Sequence, residues 1–251
     1  MNKIALITGA TSGIGKATAI ILAKNNYNLI ITGRRLEKLN ELSKNIQKEY
    51  KVDVQILNFD IRNNEETKTS FNSLPENYKK IDVLINNAGL ASGLSNIQNG
   101  DIDDWEKMID TNVKGLLYIS RLVMPIMTEQ KKGHIINISS IAGKETYAKG
   151  NVYCATKHAV EAITKAMRID MLPFGIKVTS ISPGMVDTEF STVRFHGDKE
   201  KADKVYENLT PLYANDIAEA IEFVVTRPKH VNINDMLIMP TAQANSYTVH
   251  K

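Results

Sequence analysis

The sequence predicts a single α/β domain over residues 1–251, built on a seven-stranded parallel sheet with helices on both faces. Three observations predict it. Short runs rich in β-branched residues alternate with longer segments of helical period, the pattern of successive βαβ units. No composition shift, internal repeat or low-complexity tract divides the chain. A length of 251 residues, 43% apolar and 24% charged, suits one large core better than two small ones.

In chain order, the strands are expected at Ile4–Thr8, Leu29–Thr32, Val54–Phe59, Val83–Asn86, Ile135–Ser139, Lys177–Ser182 and Met236–Met239. Between them, apolar residues three and four apart mark helices at Lys16–Lys24, Arg35–Lys48, Asn64–Leu74, Asp104–Met127, Val152–Leu172 and Asn215–Val225. Within residues 187–210, the polar run His196–Asn208 is the least core-like part of the second half. It reads either as a solvated helix or as a lid and substrate loop over the carboxyl edge of the sheet, where open α/β sheets bind ligands.

The bulk properties exclude several classes. No stretch approaches the roughly 20 apolar residues that span a bilayer, and the first apolar run is interrupted at Thr8–Gly13 before a signal segment forms. A cytoplasmic protein with no membrane partner is therefore expected. Cys154 is the only cysteine, which leaves no intrachain disulfide and no cysteine-rich zinc site, and no metal is expected. The sequons at Asn137 and Asn208 then carry no meaning, and a net charge of +3 spread along the chain makes no stripe for nucleic acid.

The first strand runs into Thr8-Gly9-Ala10-Thr11-Ser12-Gly13-Ile14-Gly15 and then a helix. Glycines permit a tight turn and close backbone approach, while the helix start offers unpaired N–H groups and a positive dipole end to a diphosphate. Gly9, Thr11, Ser12, Gly13, Ile14 and Gly15 are the residues expected to cradle it. The Gly-x-x-x-Gly-x-Gly spacing differs from the general dinucleotide fingerprint, and such glycines also serve plain βα turns. Asn86-Asn87-Ala88-Gly89, a second small polar turn on the same edge, favours the anion site. After the second strand, where an NAD-binding fold carries a carboxylate for the ribose, this chain reads Thr32-Gly33-Arg34-Arg35. Arg34, with Arg35 beside it, suits a 2′-phosphate, so NADP(H) is the expected cofactor. Asp60, ending the third strand, reads either as a partner for the adenine amino group or as a cap for the next helix.

Tyr153 and Lys157 lie four apart on one helix, one above the other. A fixed ammonium beside the phenol is expected to favour phenolate and so let tyrosine act as a base. The apolar stripe of this helix is drawn through Ala155, Ala159, Ala162, Ala166 and Ile169, leaving the pair beside the buried face. Ile135–Ser139 delivers Ser139 and Ser140 to the same sheet edge, for turn chemistry or for donation to a substrate oxygen. Asn112, on the stripe Trp105, Ile109, Asn112, Leu116, reads either as a satisfied core amide or as a link between Lys157 and solvent.

Together, the Thr8–Gly15 turn, Asn86–Gly89, Asn112, Ser140, Tyr153-x-x-x-Lys157 and Pro183-Gly184 resemble the short-chain dehydrogenase/reductase family over essentially the whole chain. The resemblance implies a doubly wound Rossmann-type fold, with Tyr153 as acid/base, Ser140 as oxyanion donor and Asn112 as proton-relay element. Ser140 is preferred to Ser139 because its distance to Tyr153 matches the family's spacing. It also implies that Lys157 both activates Tyr153 and binds the nicotinamide ribose, that Asn87 and Ala88 border the adenosine side, with Gly89 of the same turn also expected at the cofactor, and that Pro183, Gly184, Val186 and Thr188 meet the nicotinamide half. The two long helices are similar to those through which family members form homotetramers.

Thr32–Arg35, Asn151–Tyr153, Ser191–Asp198 and His230–Asn234 further resemble the NADP-dependent serine/3-hydroxy-acid dehydrogenase subgroup, which includes malonic semialdehyde reductases. The implied substrate is a small anionic hydroxy acid or semialdehyde. Arg194 is the candidate for its carboxylate, or else a surface salt-bridge residue, and Tyr147 is a candidate pocket wall. The competing expectations are a general carbonyl or 3-oxoacyl reductase and a non-catalytic NADP-binding regulator.

Overall fold

A computed structural model describes residues 2–250. The elements follow as β1 (Ile4–Ile7), α1 (Gly13–Lys24), β2 (Asn28–Gly33), α2 (Leu36–Glu49), β3 (Val54–Asn58), α3 (Asn64–Asn72) and β4 (Val83–Asn86). Next come α4 (Ile102–Ile109), a π-helical segment Asp110–Gly115, α5 (Leu116–Gln130), β5 (His134–Ile138), α6 (Asn151–Met171) and β6 (Lys177–Pro183). The chain ends with β7 (Val186–Asp187), α7 (Glu189–Arg194), α8 (Lys199–Lys204), β8 (Leu212–Tyr213), α9 (Ala214–Val225) and β9 (Asp235–Ile238). Seven strands form one parallel sheet in the order β3-β2-β1-β4-β5-β6-β9, and β7 pairs with β8 apart from it. Every expected strand is present within a residue or two of its expected ends.

The strands read as near-continuous apolar runs because both faces are covered. Along β1, Ala5 and Ile7 pack into a core with Leu22, Leu39, Ile217 and Ile221 of α1, α2 and α9. Ile4 and Leu6 face the opposite core, with Ile119 and Val123 of α5 and Val160 and Met167 of α6. Connections from β1 run outward in both directions, to β2 on one side and β4 on the other. The reversal opens a crevice beyond the carboxyl ends of β1 and β4, the place where such sheets bind ligands.

Two helical expectations are corrected. The single helix expected over Asp104–Met127 is interrupted by the π-helical segment, which carries Asn112. A π turn adds a residue to the ladder and turns the side-chain register. In α6 the stripe is misplaced: Ala155, Ala162 and Ala166 are exposed, and Ile169 is 72% exposed. The buried face carries Tyr153, Lys157, Val160, Glu161, Thr164 and Met167, so the polar pair lies on the core face itself. Hydrophobicity alone misassigned a helix whose inner face is rich in polar groups that are hydrogen-bonded.

The segment 187–210 holds two short helices. Thr188 caps α7 by accepting from the Phe190 N–H at 3.2 Å, and Asp198 caps α8. Ala202 of α8 is buried, so this part is packed on one side. Among the described residues no helix is long and apolar enough to cross a membrane.

Candidate active site

A cavity of about 540 Å³ lies at the carboxyl edge of the sheet. Its walls include Gly9, Thr11, Ser12, Gly13, Ile14, Arg34, Arg35, Asp60, Asn87, Ala88, Gly89, Pro183, Gly184, Val186 and Thr188, and also Ser140, Tyr147, Tyr153, Lys157 and Arg194. Gly15 and Asn112, expected in the site, stand behind it. A Cβ on Gly15 would overlap the Gly9 carbonyl oxygen and come within 2.5 Å of Asn87 Nδ2. Gly15 therefore serves the close packing of the turns rather than an anion directly.

The two turns are locked into one floor. Thr8 Oγ1 accepts from the N–H groups of Asn87 and Ala88 at 3.0 Å, while Asn87 Nδ2 donates to the carbonyls of Thr8 and Gly9 at 2.9 and 3.2 Å. Gly9 sits at φ +67°, and a Cβ there would meet Ala88 Cα at 2.9 Å. At the start of α1, Ser12 forms no side-chain cap and the first turn holds no acidic residue. Free N–H groups at a positive dipole end thus face the cavity.

The cationic rim is divided. Arg34 is 60% exposed at its side chain, with only a 3.9 Å approach to Asp60. Arg35 is engaged: it donates to Thr11 and Ser12 at 2.7 and 2.9 Å and pairs with Glu189 of α7 at 2.7 Å. Glu189 also binds Lys38 at 2.8 Å, and the hydrogen bond from Lys38, with Arg35, holds its carboxyl down to about 2. Asp60 is neither free nor a helix cap. Burial works against its charge, but hydrogen bonds from Arg62, 2.6 Å away, lower it overall, and Asn63 caps α3 instead. With no carboxylate at the end of β2, an exposed Arg34, the glycine floor and the uncapped α1, these residues fit a dinucleotide carrying a 2′-phosphate.

The polar pair stands further along the same cavity. Tyr153 is buried, edge-on to Phe190 with ring centroids 5.6 Å apart. Lys157 donates to the Ile138 carbonyl at 2.9 Å, with its Nζ 5.9 Å from the Tyr153 ring centre. Burial brings Lys157 down to about 8, opposed by the charge of Glu161. The expectation of a phenol lowered by the ammonium is corrected: burial, followed by Tyr147, raises Tyr153 well above the ordinary phenol, and Ser140 and Arg194 offset only part. A low dielectric penalises phenolate more than an ammonium several ångströms away restores it.

Ser140 has an extended backbone and its Oγ accepts from the Ala142 N–H at 3.1 Å. Asn112 is hydrogen-bonded at both its oxygen and its nitrogen, with one acceptor position of Oδ1 left over: Oδ1 accepts from the Leu90 N–H at 2.8 Å, and Nδ2 donates to the Leu90 carbonyl at 2.8 Å and Thr156 Oγ1 at 3.0 Å. It nonetheless borders Lys157 across Gly89, where a Cβ would lie 3.2 Å from Asn112 Oδ1 and 3.5 Å from Lys157 Nζ.

Arg194 enters the site from the end of α7. Its guanidinium lies 5.5 Å from the Tyr147 ring centre and 5.7 Å from that of Tyr153. Its Nε reaches the Gly93 carbonyl at 3.4 Å, but among the described residues no carboxylate pairs with it, so the surface salt-bridge reading does not hold. The following residue but one, His196, is pinned by Asp104 at 3.1 Å and Ser92 at 3.2 Å. Several wall residues escaped sequence reasoning, among them Phe190, Glu189 and Gln243, whose Oε1 accepts from the Met185 N–H at 2.8 Å. Gln243 stands 58 residues from Met185, so no local pattern joins them.

Residues 3–199 match the family described as short chain dehydrogenase. A Schizosaccharomyces pombe protein named NADP-dependent 3-hydroxy acid dehydrogenase is 45% identical over 251 residues, covering 100% of this chain and 97% of that one. A Salmonella typhimurium protein of the same description is 47% identical over 242 residues, 96% of each chain. Among solved structures, the closed form of a serine dehydrogenase complexed with NADP+ superposes with a TM-score of 0.93 at 44% identity, covering 99% of both chains.

Proposed function

The chain belongs to the short chain dehydrogenase family, and from that premise we propose an NADP-dependent oxidoreductase that interconverts a small 3-hydroxy acid with its 3-oxo acid or semialdehyde. Serine and 3-hydroxypropionate are the substrate types in view. The observation that carries the substrate class is Arg194, a guanidinium without a carboxylate partner, stacked beside the phenol that handles the proton. A 3-hydroxy acid places its carboxylate two carbons from the reacting carbon, which matches a fork and a phenol lining one cavity.

Arg34 reads the 2′-phosphate, the start of α1 with Gly9 and Gly13 holds the diphosphate, and Asn87, Ala88 and Gly89 border the adenosine. Pro183, Gly184, Val186 and Thr188 flank the nicotinamide half, and Lys157 serves its ribose. When bound, the nicotinamide supplies or accepts the hydride. In the reducing direction Tyr153, protonated as its burial favours, gives its Oη proton to the carbonyl oxygen, and Ser140 donates a hydrogen bond to the same oxygen. Oxidation of the alcohol reverses these transfers and needs the Lys157 ammonium to stabilise phenolate. Asn112 backs Lys157 across Gly89 as its link towards solvent. Residues 187–210 form the lid, held to α2 by Glu189 and to α4 by His196.

The test is a panel of L-serine, 3-hydroxypropionate and 3-hydroxyisobutyrate, followed by NADPH absorbance. Arg194→Ala should raise KM for these acids by about 10- to 100-fold, the worth of a charge-assisted contact, while leaving an uncharged short-chain alcohol within twofold. Equal losses on charged and uncharged substrates would show that Arg194 does not bind the carboxylate.

A further inference from the structure

Glu161 is a buried carboxylate that the mechanism above leaves unused. It stands one turn beyond Lys157 on the inner face of α6, only 6% exposed. Its Oε1 accepts from Ser180 and Ser182 of β6, each at 2.8 Å, and its Oε2 lies 3.6 Å from Lys144 Nζ. Ser139 also bears on this carboxylate, but hydroxyl donors are met as well by the oxygen of a neutral amide, so they do not by themselves require a charge there. Lys144 already has a nearer partner, Asp235 at 2.5 Å.

Lys157 is the group that lacks a counter-charge. It is buried, and its hydrogen bond goes to a neutral carbonyl, Ile138 O. The turn over this part of α6 is tight: a Cβ on Gly143 would lie 2.7 Å from the Lys157 carbonyl oxygen and 3.0 Å from Glu161 Cγ. Side chains four apart on a helix stand one above the other, so the Glu161 charge acts on Lys157 through protein rather than bulk water.

We propose that Glu161 is a positioning residue for the proton chemistry, its carboxylate holding Lys157 in the ammonium form that Tyr153 requires. The inference rests on the reading of Tyr153 and Lys157 as the proton-handling pair. On the cavity side the pair faces Tyr147 and Arg194; on the sheet side Glu161 faces Lys144, with Asp235 and Arg168 beyond it. Burial brings Lys157 to about 8 with Glu161 opposing that fall. Burial also works against the Glu161 charge, but the serine hydrogen bonds and Lys144 keep it ionised.

The consequence has a definite sign. The productive state for oxidation, phenolate with ammonium, has the same number of protons as neutral phenol with neutral amine, and the negative charge of Glu161 favours the former. Glu161→Gln keeps the acceptor for both serines and removes the charge. For two charges about a helical turn apart, on the order of 6–8 Å, and an effective dielectric near 20, the ionisation of Lys157 should move down by about one to two units.

The experiment has two readouts on the full chain. Lysine 13Cε NMR, with Lys157 assigned by its absence in Lys157→Met, should show Lys157 titrating about one to two units lower in Glu161→Gln. The kcat/KM profile should break at correspondingly lower pH in both directions, with wild-type values below the break and a loss of roughly tenfold or more above it. Glu161→Asp, which keeps the charge, should restore the wild-type break. An unmoved Lys157 titration overturns the inference, as does a loss that is uniform across pH, the mark of a structural role. Because the NMR titration needs no turnover, wild-type protein inactive on every hydroxy acid would fail the functional proposal and leave the ammonium–carboxylate coupling separately measured.

Discussion

Replacing His134 with glutamine should remove most of the acid sensitivity of this fold near neutrality. His134 opens β5 in the middle of the sheet and is 4% exposed. Its Nε2 lies 2.9 Å from Thr179 Oγ1, whose own proton goes to the Ile233 carbonyl at 2.6 Å. Thr179 must therefore accept, which puts the imidazole proton on Nε2 and leaves Nδ1 bare. Nδ1 is buried without a partner, so a second proton would create an unsatisfied cationic N–H in the core. Burial, and then the charge of Lys177, lowers the imidazole from 6.5 to about 3. As pH falls through the unfolded value, the unfolded chain takes a proton that the folded chain refuses. Stability is full above that value and is lost from there down towards the folded one. Between about pH 7 and pH 5 the loss is about 2 kcal/mol, or roughly thirtyfold in the folding equilibrium. The lowered carboxylates Asp60, Glu161 and Glu189 contribute little in this window, because their ordinary values are 3.8 for Asp and 4.5 for Glu. Glutamine places an amide N–H near the position of Nε2 and does not titrate. Urea unfolding at about pH 7 and pH 5 should show the wild-type loss shrinking by about 2 kcal/mol in His134→Gln. An equal loss in both proteins would refute the assignment of the acid sensitivity to His134.

Arg34→Ala should lower kcat/KM for NADP by about 10- to 100-fold, as a charge-assisted contact is worth, while NAD changes less than twofold; an equal loss with both would mean that Arg34 does not read the phosphate. Gly15→Ala, with no space for a Cβ between Gly9 and Asn87, should cost about 1–3 kcal/mol of stability and raise the KM for NADP, as thermal melts and initial rates would report; an unchanged melting temperature would contradict the packing role. Tyr153→Phe should cut kcat by about 10²- to 10⁴-fold with cofactor affinity retained, and cofactor fluorescence titration checks the second half of that statement.

The sequence by itself determined the sheet and the floor of the cavity. Runs such as Ile4–Ile7 and Val83–Asn86 are apolar on both faces, so their place in a covered parallel sheet follows from local composition. The Thr8–Gly15 turn and the Tyr153–Lys157 spacing are likewise local, because a βα turn and one helical turn fix their geometry within a few residues. Tertiary structure decided what depends on distant segments. Arg35 looked as free as Arg34 until Glu189, 154 positions away, claimed it. Asn112 could not be placed without the π-helical segment that turns it towards Leu90 and Thr156. The inner face of α6 was misread because its polar residues are satisfied by β6 and by the end of β5, partners that no periodicity reveals. The burial of Tyr153 was underestimated for the same reason. A spacing of four residues gives the ammonium, but burial against residues such as Phe190 outweighs it, Tyr147 adds to that and Arg194 offsets only part, and these groups meet only when the chain has folded.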